Sequence, residues 1–102
     1  MFLGGKKVKQ NLIFAIYDLK SDCFSNFIVS DDVRNVRLSV YVALKDKEDT
    51  LLYQYASDYS MYQLAEIDEK TGNVVPCKKE VFTFNEVKSQ LLYKESEDAK
   101  VS

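Results

Sequence analysis

The chain has 102 residues, 46% of them hydrophobic and 29% charged, with sixteen acidic against fourteen basic side chains and a net charge of -2. That length holds one domain with a modest core, and no apolar run reaches the roughly 20 residues that span a bilayer, so a soluble protein with no membrane partner is expected. Without histidine the chain lacks the usual general base near neutral pH and every Ser–His or Cys–His nucleophile pair, and its two cysteines cannot complete a four-ligand zinc site. It therefore reads as a non-enzyme with no cofactor and no metal.

The first segment, Met1 to Lys9, places its lysines after the apolar residues and is not followed by a long apolar region, so it reads as a flexible basic arm over residues 1–10 and not as a secretory signal. With no export signal, Cys23 and Cys77 read as reduced thiols. Asn11 to Asp18 is a dense run of β-forming residues and predicts the first strand. Leu19 to Cys23 supplies turn chemistry, and Phe24 to Val29 predicts a second strand folding back on the first.

The segment from Val33 to Lys45 carries two periodicities. Ser30-Asp31-Asp32 is a helix-start signal, and Val33, Val36, Val40 and Leu44 fall on one helical stripe. Val36, Leu38, Val40, Val42 and Leu44 also alternate with Asn35, Arg37, Ser39, Tyr41 and Ala43, as a strand would. Pattern alone leaves both open.

Asp46 to Thr50 is a charged connector, and its acidic run, like Asp31-Asp32, reads as caps and solvated surface. Leu51 to Tyr55 is a short apolar passage leading into the clearest hairpin, Tyr59 to Pro76. In its first strand Tyr59, Met61, Ala65 and Ile67 fall on one face with Gln63 as the exception, and Ser60, Tyr62, Leu64 and Glu66 take the other. Neither face is purely polar, which predicts cover by a helix on one side and by a partner or loop on the other. Asp68 can fold its carboxylate onto the backbone two residues on, Gly72 can take positive φ, and Pro76 keeps the return strand from a central position. Val81 to Phe84 reads as a short extended piece, and Asn85-Glu86 as the cap of a last helix through Tyr93 with Val87, Leu91 and Leu92 buried. A single domain over residues 1–93 then gives way to a charged tail, 94–102, read as disordered.

Two motifs together, Ile16-Tyr17-Asp18-Leu19-Lys20-Ser21 followed by Phe24 and Phe27, and Asp58 to Asp68 followed by Thr71-Gly72, resemble the small nonstructural protein of gokushoviruses, single-stranded DNA phages of the Microviridae. The resemblance spans about Leu12 to Pro76. That family carries a helix between the motifs with an Arg near an aromatic, which Arg37 and Tyr41 approximate, and this selects helix for roughly Asp31 to Lys45. The expected fold is α+β: a small antiparallel sheet of two hairpins, one main helix between them and a short C-terminal helix.

The resemblance implies a DNA-binding replication protein of the host cytoplasm that promotes the switch from duplex replication to single-strand synthesis. Single-strand binding needs cationic side chains along the backbone and aromatic faces for bases. Seven tyrosines and six phenylalanines stock the second requirement, while the net charge of -2 meets the first poorly. The first hairpin and the helix start offer both chemistries, so Lys20, Arg34, Arg37, Tyr17 and Phe24 are the expected nucleic-acid-binding residues, within a mildly basic patch of Lys6, Lys7, Lys9, Lys20, Arg34 and Arg37 to which Lys78 and Lys79 can add in space. The rival reading is an adaptor that engages a viral or host replication protein through hairpin edges and aromatics, without DNA. A homodimer is expected in either case, because so small a sheet leaves unpaired edges.

Overall fold

A computed structural model describes residues 10–46 and 51–101. The basic arm through Lys9 and most of the charged connector lie outside the described residues. Strands β1 (Gln10–Asp18) and β2 (Cys23–Ser30) form the first hairpin, followed by helix α1 (Val33–Asp46), a single-turn helix α2 (Leu51–Gln54) and a 3-10 turn at Ala56–Asp58. Strands β3 (Tyr59–Asp68) and β4 (Val74–Thr83) form the second hairpin, and helix α3 (Phe84–Val101) ends the chain. The four strands make one antiparallel sheet in the order β2-β1-β3-β4, so the fold is α+β with the main helix between the two hairpins.

The two turns share one design. Asp18 Oδ1 accepts from the backbone N–H of Lys20 and of Ser21 at 3.0 and 3.3 Å, and Asp68 Oδ1 accepts from Lys70 at 2.9 Å. Each loop then closes on the same carbonyl, from Asp22 N–H to Asp18 at 2.8 Å and from Gly72 N–H to Asp68 at 2.7 Å. The closing residue needs positive φ: Gly72 takes 77° without a Cβ penalty, whereas Asp22 adopts 57° as a non-glycine residue.

The segment with two periodicities is helical. Val36, Val40 and Leu44 are buried and Val33 packs against them, while Leu38 and Val42 of the competing alternation are exposed. Asp32 starts the helix by accepting the Arg34 N–H at 2.8 Å. The last helix starts on Thr83, whose Oγ1 accepts the Glu86 N–H at 3.1 Å, in place of the expected Asn85-Glu86 cap. Phe84, Val87 and Leu91 form its buried stripe at helical spacing, and Leu92, expected inside, is exposed. The helix continues to Val101 through the segment read as a tail, with Glu95, Ser96 and Glu97 exposed. The return strand is continuous from Val74 to Thr83, so Val81 to Thr83 belong to it and are not a separate piece; Pro76 is tolerated because β4 is an edge strand.

The core lies on one side of the sheet. Phe14, Ile16, Met61 and Phe82 of the strands meet Val36, Val40 and Leu44 of α1 and Phe84, Val87 and Leu91 of α3. The shortest dimension of the molecule is 18 Å, the thickness of a sheet with a single helical layer about 10 Å away. The expected helical cover lies on one face; among the described residues no helix covers the second, and none is long and apolar enough to cross a membrane.

Which residues reach that second face is decided by a bulge. Ile13 pairs with Ala65 and Phe14 with Gln63, so Leu64 is an extra residue on β3 that reverses the alternation. Tyr59, Met61 and Gln63 therefore share the covered face, and Ala65 and Ile67, expected with them, move to the face of Ser60 and Tyr62. Gln63, 5% exposed, is satisfied at this kink by donating from Nε2 to Cys77 Sγ at 3.0 Å. Cys23 and Cys77 are free and lie on opposite edge strands, with two strands between them and out of disulfide reach.

Candidate nucleic-acid interface

On the open face the register builds rows across the sheet. At one end Phe24, Tyr17, Ser60 and Thr83 are successive neighbours on β2, β1, β3 and β4, and the next row holds Ala15, Tyr62 and Glu80. Farther along, Val29, Ile13, Ala65 and Pro76 form an apolar row, followed by Asn11, Ile67 and Val74. The face is thus divided into an aromatic end and an aliphatic end.

At the aromatic end three rings meet. The centroids of Tyr17 and Phe24 are 4.9 Å apart, those of Phe24 and Tyr62 5.4 Å at 87°, and those of Tyr17 and Tyr62 5.7 Å at 64°. These tilted and edge-on contacts set the ring quadrupoles favourably and bury Ala15 beneath, while each ring stays half-buried and keeps surface toward solvent. The Tyr17 hydroxyl donates to Asp22 Oδ1, so the positive φ of Asp22 is linked to the aim of a ring of the cluster. That hydrogen bond first, then partial desolvation and the nearby Asp22 charge, raises the Tyr17 pKa above the usual phenol value.

One lysine reaches the rings and a second sits in the adjoining turn. Lys78 of β4 places its ammonium 5.7 Å from the Phe24 centroid. Lys20, in the β1–β2 turn, is 5.2 Å from the Tyr55 centroid and 3.5 Å from Asp58, with its side chain 72% exposed. An exposed pair of this kind contributes about 0–1 kcal/mol, so the ammonium is readily redirected to a phosphate.

Of the five residues expected from sequence, Tyr17, Phe24 and Lys20 lie together on the first hairpin. Arg34 and Arg37 do not join them, because α1 packs on the opposite face. Arg34 is engaged by Asp32, Nη2 to Oδ2 at 2.8 Å and Nε to Oδ2 at 3.1 Å, and this pairing raises its pKa further. Arg37 donates to Gln90 Oε1 at 3.0 Å, approaches Glu86 at 4.0 Å and stacks 5.4 Å over Phe82, joining α1 to α3. With Leu38, Tyr41 and Gln90 the two arginines line a shallow cleft on the helical layer. The sequence places Lys78 beside the basic patch and Tyr62 among the aromatics but does not single out either as a site residue. Their signal was pairing information: Tyr62 reaches Tyr17 only through the β1–β3 register.

No curated protein and no solved structure matches the chain. The Phage ORF5 protein family matches residues 11–88, which takes in both hairpins, α1 and the start of α3. The match covers more than half of the chain, and the protein belongs to that phage family.

Proposed function

We propose that this phage protein binds single-stranded DNA on the open face of its sheet, with Tyr17, Phe24 and Tyr62 stacking bases and Lys78 and Lys20 taking phosphates. The observation that carries the reading is the clustering of three partly buried rings on a face that no described helix covers, with a lysine against one of them. A π-face accepts any base, and each stack contributes roughly 1–3 kcal/mol, which suits sequence-tolerant binding. Arg34 and Arg37 fall outside this footprint because Asp32, Gln90 and Glu86 already engage them on the other side of the sheet. The resemblance to the gokushovirus nonstructural protein supports the further assignment of a role in the switch from duplex replication to single-strand synthesis.

One lysine against the rings and one in the adjoining turn give few phosphate contacts in a chain of net charge -2, so affinity at physiological salt is micromolar and not nanomolar. Anisotropy titrations of a fluorescent oligonucleotide at several salt concentrations test this, with an expected log–log slope of roughly 1.4 for two contacts on a single strand. Absence of binding at low salt, where the ionic contribution is greatest, would sink the reading. The acidic balance then favours an adaptor that uses the same face to hold a viral or host replication protein.

A further inference from the structure

The two edges of the sheet are built differently. β4 carries Pro76, which has no N–H, and the charges of Lys78, Lys79 and Glu80, and its pairing with β3 is irregular twice. These are the features by which edge strands resist pairing with other chains. β2, Cys23–Ser30, has no proline and no charged residue, and among the described residues nothing pairs with its outer side. Its one irregularity, the positive-φ Asn26, pushes Phe27 outward. Phe27 and Val29 are 65% and 61% exposed. Beside them a groove of about 310 Å³ opens between β2 and α1, walled by Ile16, Ile28, Val36, Val40 and Leu44, with Phe27 at its rim.

From these features we infer that two copies of the chain pair β2 against β2 about a two-fold axis, joining their sheets, with Phe27 of each copy covering the groove of the other. A second copy is the occupant that the edge fits. An exposed ring and an apolar groove on the same element are self-complementary, as a two-fold contact requires, and a charge-free strand brings no repulsion to the centre of a contact between acidic chains. Eight residues at about 3.3 Å each give a contact about 26 Å long, and a strip about 20 Å deep covers on the order of 500 Å² per copy, the low end for a specific interface. An interface of that size suits a weak, concentration-dependent dimer. Carboxylates flank β2 at both ends, so antiparallel pairing brings Asp22 of one copy toward Asp31 of the partner subunit, and salt that screens them tightens the dimer.

The inference is independent of DNA binding, and salt separates the two because it strengthens this contact and weakens binding to a polyanion. Sedimentation velocity of the full chain without DNA, from about 5 to about 200 μM, should show conversion from 11.8 kDa toward twice that mass. Phe27→Lys and Val29→Lys should each weaken association by at least about tenfold, whereas Val74→Lys on the β4 edge should leave it unchanged. Hydrogen exchange on the unaltered chain removes any dependence on how the variants fold: amides 25–30 should become more protected as concentration rises, and those of β4 should not. A single 11.8 kDa species throughout overturns the inference, as does equal sensitivity to Val74→Lys or concentration-dependent protection confined to β4.

Discussion

The two faces of the sheet are woven from the same four strands and differ in nearly everything else. On the covered face Phe14, Met61 and Phe82 are almost fully buried under α1 and α3, and the polar exception, Gln63, is hydrogen-bonded. On the open face the small Ala15 and Ala65 are buried only because larger neighbours lean over them, and Tyr17, Phe24 and Tyr62 keep exposed surface. An apolar side chain with a helix above it contributes to folding. An aromatic with nothing above it leaves a desolvation gain that only a partner collects, and this contrast is the basis of the proposed interface.

The largest expected effect breaks the covered face. Phe14→Ala deletes a fully buried ring and should cost about 3–5 kcal/mol, a large fraction of the stability of a domain this size. Urea unfolding monitored by circular dichroism measures it. On the other side of the sheet, beside Ala15, a smaller stability effect is expected: Tyr62→Ala should lower stability by about 2 kcal/mol, because the ring is only partly buried, yet weaken oligonucleotide binding about tenfold with an unchanged salt slope. A loss of folding stability without loss of affinity would make the ring cluster purely structural.

Lys78→Ala sharpens the comparison through electrostatics. Removing one phosphate contact should reduce the salt slope by roughly 0.7. Arg34→Ala combined with Arg37→Ala, on the covered side, should leave slope and affinity near their original values in the same titration; a flattened slope there would move the interface to the helical layer.

The smallest effect concerns the Tyr17–Asp22 hydrogen bond. Because the folded state raises the Tyr17 pKa above its ordinary value of 10.0, its contribution to stability is complete below that value and is lost as pH rises through the higher folded value. Tyr17→Phe should therefore show a shallower alkaline decline in urea midpoint than the unaltered protein. An identical decline in both would mean that the hydroxyl carries no such linkage.

Much of the fold is legible in short stretches of sequence because it rests on contacts within a few residues. Asp18 and Asp68 fold onto the backbone N–H two residues on, Gly72 supplies the positive φ, and Val33, Val36, Val40 and Leu44 recur at helical spacing. These features were enough for two hairpins with a helix between them, once resemblance had chosen helix over strand for α1. The pairing of Tyr17 with Phe24 is nearly as local, since one short turn brings the two together.

The rest belonged to the tertiary structure. Whether Ala65 faces the helices or the open side depends on one bulged residue, Leu64, and a one-residue slip inverts every side chain beyond it. Nothing within a few residues of Leu64 encodes that slip, because it arises from pairing with β1, about fifty positions earlier in the chain. The same long-range pairing sets Tyr62 beside Tyr17 and Lys78 over Phe24. It also puts Arg34 and Arg37, near neighbours of the first hairpin in sequence, on the far side of the sheet. Sequence alone determined both hairpins and the stock of aromatic and basic side chains, and left α1 open between helix and strand; the register of four strands and the single helical layer decided which side chains share a face, because period-two alternation holds only until a bulge interrupts it.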